Sequence, residues 1–197
     1  TLRTFDPPGL ASKPRRSCAS GAGMSSGAKA VFLDRDGVIN HTVFRRGAQR
    51  APQNLSEWAW VEGVHETLHS LAQRGYTLVV CTNQPDVSRG WQTREQVDAF
   101  HELIVAELPI ARVYACFHDN AADCACRKPR PGMLQMASQE LGLDLRQSFM
   151  IGDRVSDIEA GKAAGCRTIH LRHTEDEPRS EADHDISALR SLLDIIV

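Results

Sequence analysis

The 197-residue chain has no apolar run approaching the length of about 18 residues that a membrane-spanning helix requires. Its formal charge of -2 is too small for bulk attraction to nucleic acid or to a membrane surface, and neither partner is expected. Nothing near the start resembles the apolar core of a secretory signal, so the protein is expected in the cytoplasm. A disulfide framework is correspondingly disfavoured, although six cysteines admit many pairings. What is present is ordinary for a globular domain, with 42% apolar and 24% charged residues, and the length suits a single core.

Residues 1–23 differ in composition from the rest. They are rich in Pro, Gly, Ser and Arg, with Arg3, Lys13, Arg15 and Arg16 set against Asp6, and show no hydrophobic periodicity. Such a segment buries too little surface to offset its ordering entropy. It reads as a disordered N-terminal extension; an organelle targeting peptide shares its Arg/Ser-rich, acid-poor character. Met24 reads as a natural start, with one domain over 24–197.

From Ala28 onward, short β-branched runs alternate with helical patterns. Residues 30–34, 77–83, 112–117, 148–153 and 166–171 read as strands. Between them, Val64, Leu68, Leu71 and Ala72 recur at helical spacing up to Gly75, and Thr93 with Gln96 forms a capping box before Val97, Phe100, Ile104 and Leu108. A third helix starts at Pro131 and closes at Gly142, a fourth opens with Ser156 and Glu159 as its box, and a last one carries Leu189, Leu192, Leu193 and Ile196. Strands separated by helices imply right-handed crossovers and a parallel sheet. The expected fold is therefore α/β, a doubly wound, Rossmann-like parallel sheet whose ligands bind beyond the carboxyl ends of the strands.

Those ends carry the chemistry. The first strand ends in "FLDRDGVIN", where Asp34 and Asp36 share a face and each opposes the other's ionisation unless a cation is near. Taken alone, the pair also fits a polar turn at Gly37. The second strand delivers Thr82, followed by Asn83 and Gln84; the fourth delivers Asp153 and, beyond it, Asp157; Lys128 follows the third. A nucleophile, an acid/base, a hydroxyl, an ammonium and metal carboxylates at one sheet edge are the inventory for phosphoryl transfer through an aspartyl-phosphate.

The runs "VFLDRDGVIN", "CTNQPDVSRG", "CRKPRPG" and "MIGDRVSDIEAG" resemble the four motifs of the haloacid-dehalogenase superfamily of phosphatases, over about residues 29–172. They closely resemble the branch holding heptose-1,7-bisphosphate and histidinol-phosphate phosphatases, which lacks a large cap domain. The resemblance implies roles. Asp34 would attack phosphorus, and Asp36 would protonate the leaving oxygen and then activate water. Mg²⁺ would sit among Asp34, Asp153 and the Asp36 carbonyl. Thr82 and Lys128 would hold phosphoryl oxygens, Asp157 would orient the metal site or Lys128, and Arg154 would reach metal-bound water or substrate.

Cys116-x-His118 and Cys124-x-Cys126, five residues apart, form a set suited to closed tetrahedral zinc. Four unrelated buried or solvated side chains are the plain alternative. The same phosphatase branch carries such a loop just before Arg-Lys-Pro. A fully ligated zinc has no open position, so its expected task is to brace the loop that presents Arg127 and Lys128. Cys18, Cys81 and Cys166 stand apart, with Cys81 expected inside a strand.

Two loops are expected to read the substrate: "NHTVFRRGAQR", with Arg45, Arg46 and Arg50, and "QPDVSRGWQ", with Arg89. Basic loops suit a second anionic group, and also suit a solvated surface. The substrate expected from the resemblance is a sugar phosphate, heptose 1,7-bisphosphate in first place and histidinol phosphate as the alternative, bound by Thr82, Asn83, Gln84, Arg45, Arg127, Lys128 and Arg154 of a monomer. The short zinc gap resembles the histidinol branch, and "VFRRG" departs from the heptose pattern. A catalytically silent binding or regulatory module on the same fold is the reading of a different class, and the intact Asp34/Asp36 pair speaks against it.

Overall fold

The computed structural model describes residues 2–5, 27–174 and 180–197. Its strands are β1 (Leu2–Phe5), β2 (Ala30–Leu33), β3 (Val43–Arg45), β4 (Ala48–Arg50), β5 (Thr77–Asn83), β6 (Ile110–Cys116), β7 (Phe149–Gly152), β8 (Arg167–Leu171) and β9 (His184–Ile186). Its helices are α1 (Val64–Gln73), α2 (Arg94–Glu107), α3 (Gly132–Leu141), α4 (Val155–Ala164) and α5 (Leu192–Ile195).

Every residue of β2 is buried, and its side chains divide between two cores. Val31 and Leu33 join a cluster with Leu68 and Leu71 of α1 and Leu192 of α5. Ala30 and Phe32 join another with Met133, Leu134 and Ala137 of α3. Successive residues of an extended chain face opposite ways, so a strand apolar at every position needs a helical layer on each side. Each fully buried large apolar side chain contributes about 1.5–3 kcal/mol relative to exposure, and the two layers follow from that gain.

The main sheet runs β1-β6-β5-β2-β7-β8-β9. The neighbouring pairs from β6 to β9 are parallel, and β1 alone is antiparallel, against β6. Beginning at β2, the chain winds outward through β5 and β6, then returns to β7 on the other side. That reversal places the switch point, and the crevice over the strand ends, beside β2. The insertion between β2 and α1 is only the β3–β4 hairpin and a short 3-10 turn at Leu55–Glu57, so among the described residues no large cap covers the crevice.

Several details differ from expectation. Leu2–Phe5, inside the segment read as disordered, pair with Val113–Cys116 because β6 has a free edge whose unpaired groups accept another strand. Residues 6–26, which hold Cys18 and Met24, lie outside the described residues. β9 extends the sheet one strand beyond the five expected. The β3–β4 hairpin turns through Arg46 and Gly47, both at positive φ (53° and 74°), a two-residue turn without the usual Asn-Gly signature. The capping box at Thr93 and Gln96 forms as expected. The one at Ser156 does not: α4 starts earlier, at Val155, because the Asp157 carboxylate reaches back and accepts from the Arg154 N–H at 3.1 Å. The last helix shrinks to a 3-10 turn and the four residues of α5. Among the described residues, no helix is long and apolar enough to cross a membrane.

Candidate active site

The β2 strand emerges at the crevice with its last residues still buried: Asp34, Arg35 and Asp36 are all nearly inaccessible. The Asp34 N–H donates to the Ile151 carbonyl at 2.9 Å, which extends the β2–β7 pairing by one residue and fixes the carboxylate's origin. The chain then turns tightly, with the Arg35 carbonyl accepting from the N–H groups of Ile39 and Asn40. Gly37 is required there. Its φ is +92°, and a Cβ would collide with the Asp153 carboxylate.

Asp36 points away from Asp34's partners. It accepts from the Arg35 guanidinium at 2.9 and 3.0 Å, from Asn40 Nδ2 at 3.0 Å and from Gln84 Nε2 at 2.7 Å. Burial alone would raise its carboxyl, but Arg35, Asn40 and Gln84 together hold it below the usual carboxylate range. Arg35 is itself fully buried and lies over the Phe100 ring at 5.3 Å. Neither Arg35 nor Asn40 stood out in the sequence, because an arginine between two aspartates reads as an exposed turn residue.

At the end of β5, the Gln84 amide donates to both Asp36 and the Thr82 hydroxyl oxygen, the latter at 2.8 Å. Thr82 accepts there, so its own hydroxyl hydrogen stays available for an oxygen in the cavity. Asn83, expected to touch substrate, is engaged with Lys128. Its amide donates to the Lys128 carbonyl at 3.0 Å and accepts from the Lys128 N–H at 3.1 Å. The Lys128 ammonium meets Asp157 Oδ1 at 2.7 Å, Asp34 Oδ1 at 2.8 Å and the Cys81 carbonyl at 2.7 Å. The two carboxylates pair with it as ions, and the Cys81 carbonyl accepts its hydrogen bond. Burial would lower its pKa, but Asp157 and Asp34 reverse that and keep it charged.

Carboxylate oxygens of Asp34, Asp153 and Asp157 lie within 4.8 Å of one another. Burial, then the charges of Asp34 and Asp157, push the Asp153 carboxyl well above its usual range, and burial pushes Asp157 up to about 6 although Lys128 pulls it down. One Asp153 oxygen is buried with no hydrogen-bond partner. The Lys128 ammonium and the Arg154 guanidinium do not balance three carboxylates, and an all-oxygen set with a spare buried oxygen fits a hard divalent cation such as Mg²⁺.

The second candidate metal site lies beside Lys128 in sequence. Cys116, His118 Nδ1, Cys124 and Cys126 place their donor atoms 3.3–3.7 Å apart. A tetrahedral zinc with bonds of about 2.3 Å has donor edges of roughly 3.8 Å, so the set fits that ion without rearrangement. The three thiols are not paired as disulfides, nor are Cys81 and Cys166, both buried. Arg127 is tied to this loop, donating from Nε to Asn120 Oδ1 at 3.0 Å and from a terminal nitrogen to the His118 carbonyl at 3.1 Å.

A cavity of about 670 Å³ opens over the strand ends. Asp34, Asp36, Asn83, Gln84, Arg127, Lys128 and Arg154 all contribute to its lining, while Thr82 lies just behind, under Gln84. Arg45 is not in that lining: one of its terminal nitrogens donates to both oxygens of the Glu57 carboxylate, each at 2.6 Å. Arg50 and Arg89 line the cavity instead.

Comparison with known proteins agrees with this geometry. Residues 125–191 match the family model described as HAD-hydrolase-like. The chain is 32% identical to the D-glycero-beta-D-manno-heptose-1,7-bisphosphate 7-phosphatase of Haemophilus ducreyi over 86% of its length and 97% of that protein. It is 34% identical to the enzyme of the same name from Photorhabdus laumondii, over 87% and 95%. Among solved structures, the D,D-heptose 1,7-bisphosphate phosphatase of B. bronchiseptica, complexed with magnesium and phosphate, superposes with a TM-score of 0.73 at 26% identity, covering 85% of this chain and 97% of that one.

Removing the ammonium should expose the charge imbalance directly. Lys128→Met should cost roughly 3–5 kcal/mol of stability at about pH 7 without divalent cations, because Asp34, Asp153 and Asp157 then converge with only the Arg154 guanidinium to offset them. Carboxyls whose folded-state pKa is raised gain stability as pH falls through that value, so the deficit should shrink towards about pH 5, and Mg²⁺ should also reduce it. Urea unfolding of both proteins under these conditions checks this; a loss under about 1 kcal/mol that ignores pH and Mg²⁺ would contradict it.

Proposed function

The chain belongs to the haloacid-dehalogenase-like phosphatases, within the family of the heptose-1,7-bisphosphate 7-phosphatases, and from that premise we propose that it hydrolyses D-glycero-D-manno-heptose 1,7-bisphosphate through an aspartyl-phosphate on Asp34. It is a phosphoric monoester hydrolase dependent on magnesium. The observation that supports Asp34 as nucleophile is the division of labour between the two aspartates. Asp34 sits on Lys128 and beside Asp153, where a phosphate's charge can be offset, while Asp36 is held apart by neutral amides and a buried arginine.

The Asp34 carboxylate attacks phosphorus, and the Lys128 ammonium and Thr82 hydroxyl take the phosphoryl oxygens as charge moves onto them. The donors around Asp36 favour its carboxylate, the form that takes a proton from the hydrolytic water. The approaching phosphate raises its proton affinity, and in that protonated state it serves the leaving oxygen. Magnesium held by Asp34, Asp153 and the Asp36 carbonyl would supply the positive charge that lets two anions meet. Asp157 keeps Lys128 aimed, through the 2.7 Å contact. Zinc on Cys116, His118, Cys124 and Cys126 would brace the loop that carries Arg127 to the cavity. The partner in this reading is a small phosphorylated sugar, met by a cytoplasmic monomer.

Asp34→Asn should abolish phosphate release from the heptose bisphosphate while leaving the thermal unfolding profile close to wild type, since the amide keeps the shape and loses the nucleophile. A residual rate of about a tenth of wild type would rule out the covalent route. Screening histidinol phosphate alongside decides the substrate: a higher kcat/KM for it would replace the sugar.

Protein purified without added metal should carry about one zinc per chain by elemental analysis. Cys124→Ser should lower zinc content and phosphatase rate together. Fully active protein with no zinc would remove the bracing role.

A further inference from the structure

Trp91, in the loop after β5, has three guanidinium groups around its ring, at 4.7 Å for Arg46, 5.1 Å for Arg50 and 5.4 Å for Arg89. The three come from two loops that are strapped to each other. The buried Gln92 amide donates to the Pro52 carbonyl at 3.1 Å, and Gln53 donates to the Trp91 carbonyl at 3.2 Å. The cluster is therefore built in place, with the indole face attracting cations that would otherwise repel one another.

Its charges are not balanced from within. Arg89 has one contact to Asp86 at 3.3 Å. Among the described residues, Arg46 and Arg50 form no ion pair, and the Arg50 Nε is buried with nothing to donate to. Arg50 and Arg89 line the same cavity as Asp34 and Lys128, whereas Trp91 and Arg46 lie behind them. A planar guanidinium fork matches the oxygens of a phosphate, and Asp34 and Lys128 already serve the phosphate that is hydrolysed.

We propose that Arg50 and Arg89, held by Trp91, bind the second phosphate of the substrate, the one that is not hydrolysed. This rests on the phosphatase reading for the transferred group only. It makes the enzyme selective for bisphosphorylated over monophosphorylated sugars, through residues of the hairpin and the β5 loop rather than through the metal-bearing strand ends. Trp91 is a positioning residue in this scheme, acting through the two arginines.

The test is a ratio measured on full-length protein with Mg²⁺: kcat/KM for heptose 1,7-bisphosphate over that for heptose 7-phosphate. Wild type should favour the bisphosphate by about 10- to 100-fold, the worth of one or two charge-assisted contacts, and the Arg50→Gln/Arg89→Gln double variant should bring the ratio near one, mostly through KM. Trp91→Leu should lower the ratio and Trp91→Phe should restore much of it. A ratio that survives the double substitution overturns the subsite and leaves attack by Asp34 standing; a wild-type ratio near one does the same. If neither heptose ester is turned over, the proposed substrate fails separately, and the subsite is then read by calorimetry on Asp34→Asn with fructose 1,6-bisphosphate against fructose 6-phosphate. Tighter binding of the bisphosphate that disappears with Arg50→Gln/Arg89→Gln upholds it, and equal binding of the two overturns it.

Discussion

The ammonium of Lys128 is the constraint around which the rest of this molecule is arranged. It pairs with the carboxylates of Asp34, just past β2, and Asp157 on α4, and donates a hydrogen bond to the Cys81 carbonyl of β5. Carboxylates from separate strands do not converge in a buried crevice without a cation among them, because each raises the cost of ionising the others. The ammonium makes the arrangement tolerable, and Asp153, whose ionisation burial and its acidic neighbours oppose, is where a divalent ion would relieve the crowding most. The strained details follow from the same crowding: Gly37 is glycine because Asp153 occupies the space of its Cβ, and Gly152 because Asp157 does the same.

Placing a lysine at that point is harder than placing an aspartate. The aspartates ride on buried strands whose apolar residues fix them from both faces. Lys128 arrives on a loop, and a loop needs other anchors. Asn83 supplies one by pairing both ends of its amide with the Lys128 backbone. The Cys116, His118, Cys124 and Cys126 cluster, whose donor atoms stand at metal-binding spacing just upstream, would supply the other once a zinc is bound. In the proposed reading the cysteines and the lysine are parts of one device, in which soft ligands would fix the position of a hard charge.

Much of this was legible in the sequence because it depends on residues whose meaning is local. The five core strands are apolar runs, and burial on both faces leaves little ambiguity about them. Asp34, Asp36, Thr82 and Asp153 fall at or just beyond strand ends, so topology alone brings them together, while Lys128 was legible from its place in the loop after β6. The features that could not be read depend on pairings across sequence distance. The turn at Arg46-Gly47 lacks a familiar hairpin signal, and without that hairpin nothing tells that Glu57 withdraws Arg45 while Arg50 turns inward. Arg35 is a charge buried by a fold that the sequence does not display, and Asn83 looks like any polar turn residue until its partner is seen. The start of α4 was misplaced for a related reason: Asp157 serves as helix cap and as Lys128 partner at once, and a local pattern reveals only one role at a time.

A carboxylate that attacks phosphorus must carry the phosphoryl group, however briefly, and that is open to direct observation. In the Asp36→Asn variant, which keeps the nucleophile but weakens the activation of water, the intermediate should accumulate during turnover of the bisphosphate. Acid quenching followed by mass spectrometry of the peptide containing Asp34 should show the added mass of one phosphoryl group, sensitive to hydroxylamine as an acyl phosphate is. Turnover by that variant with Asp34 unmodified at every quench time, or the group found on another residue, would contradict the assignment.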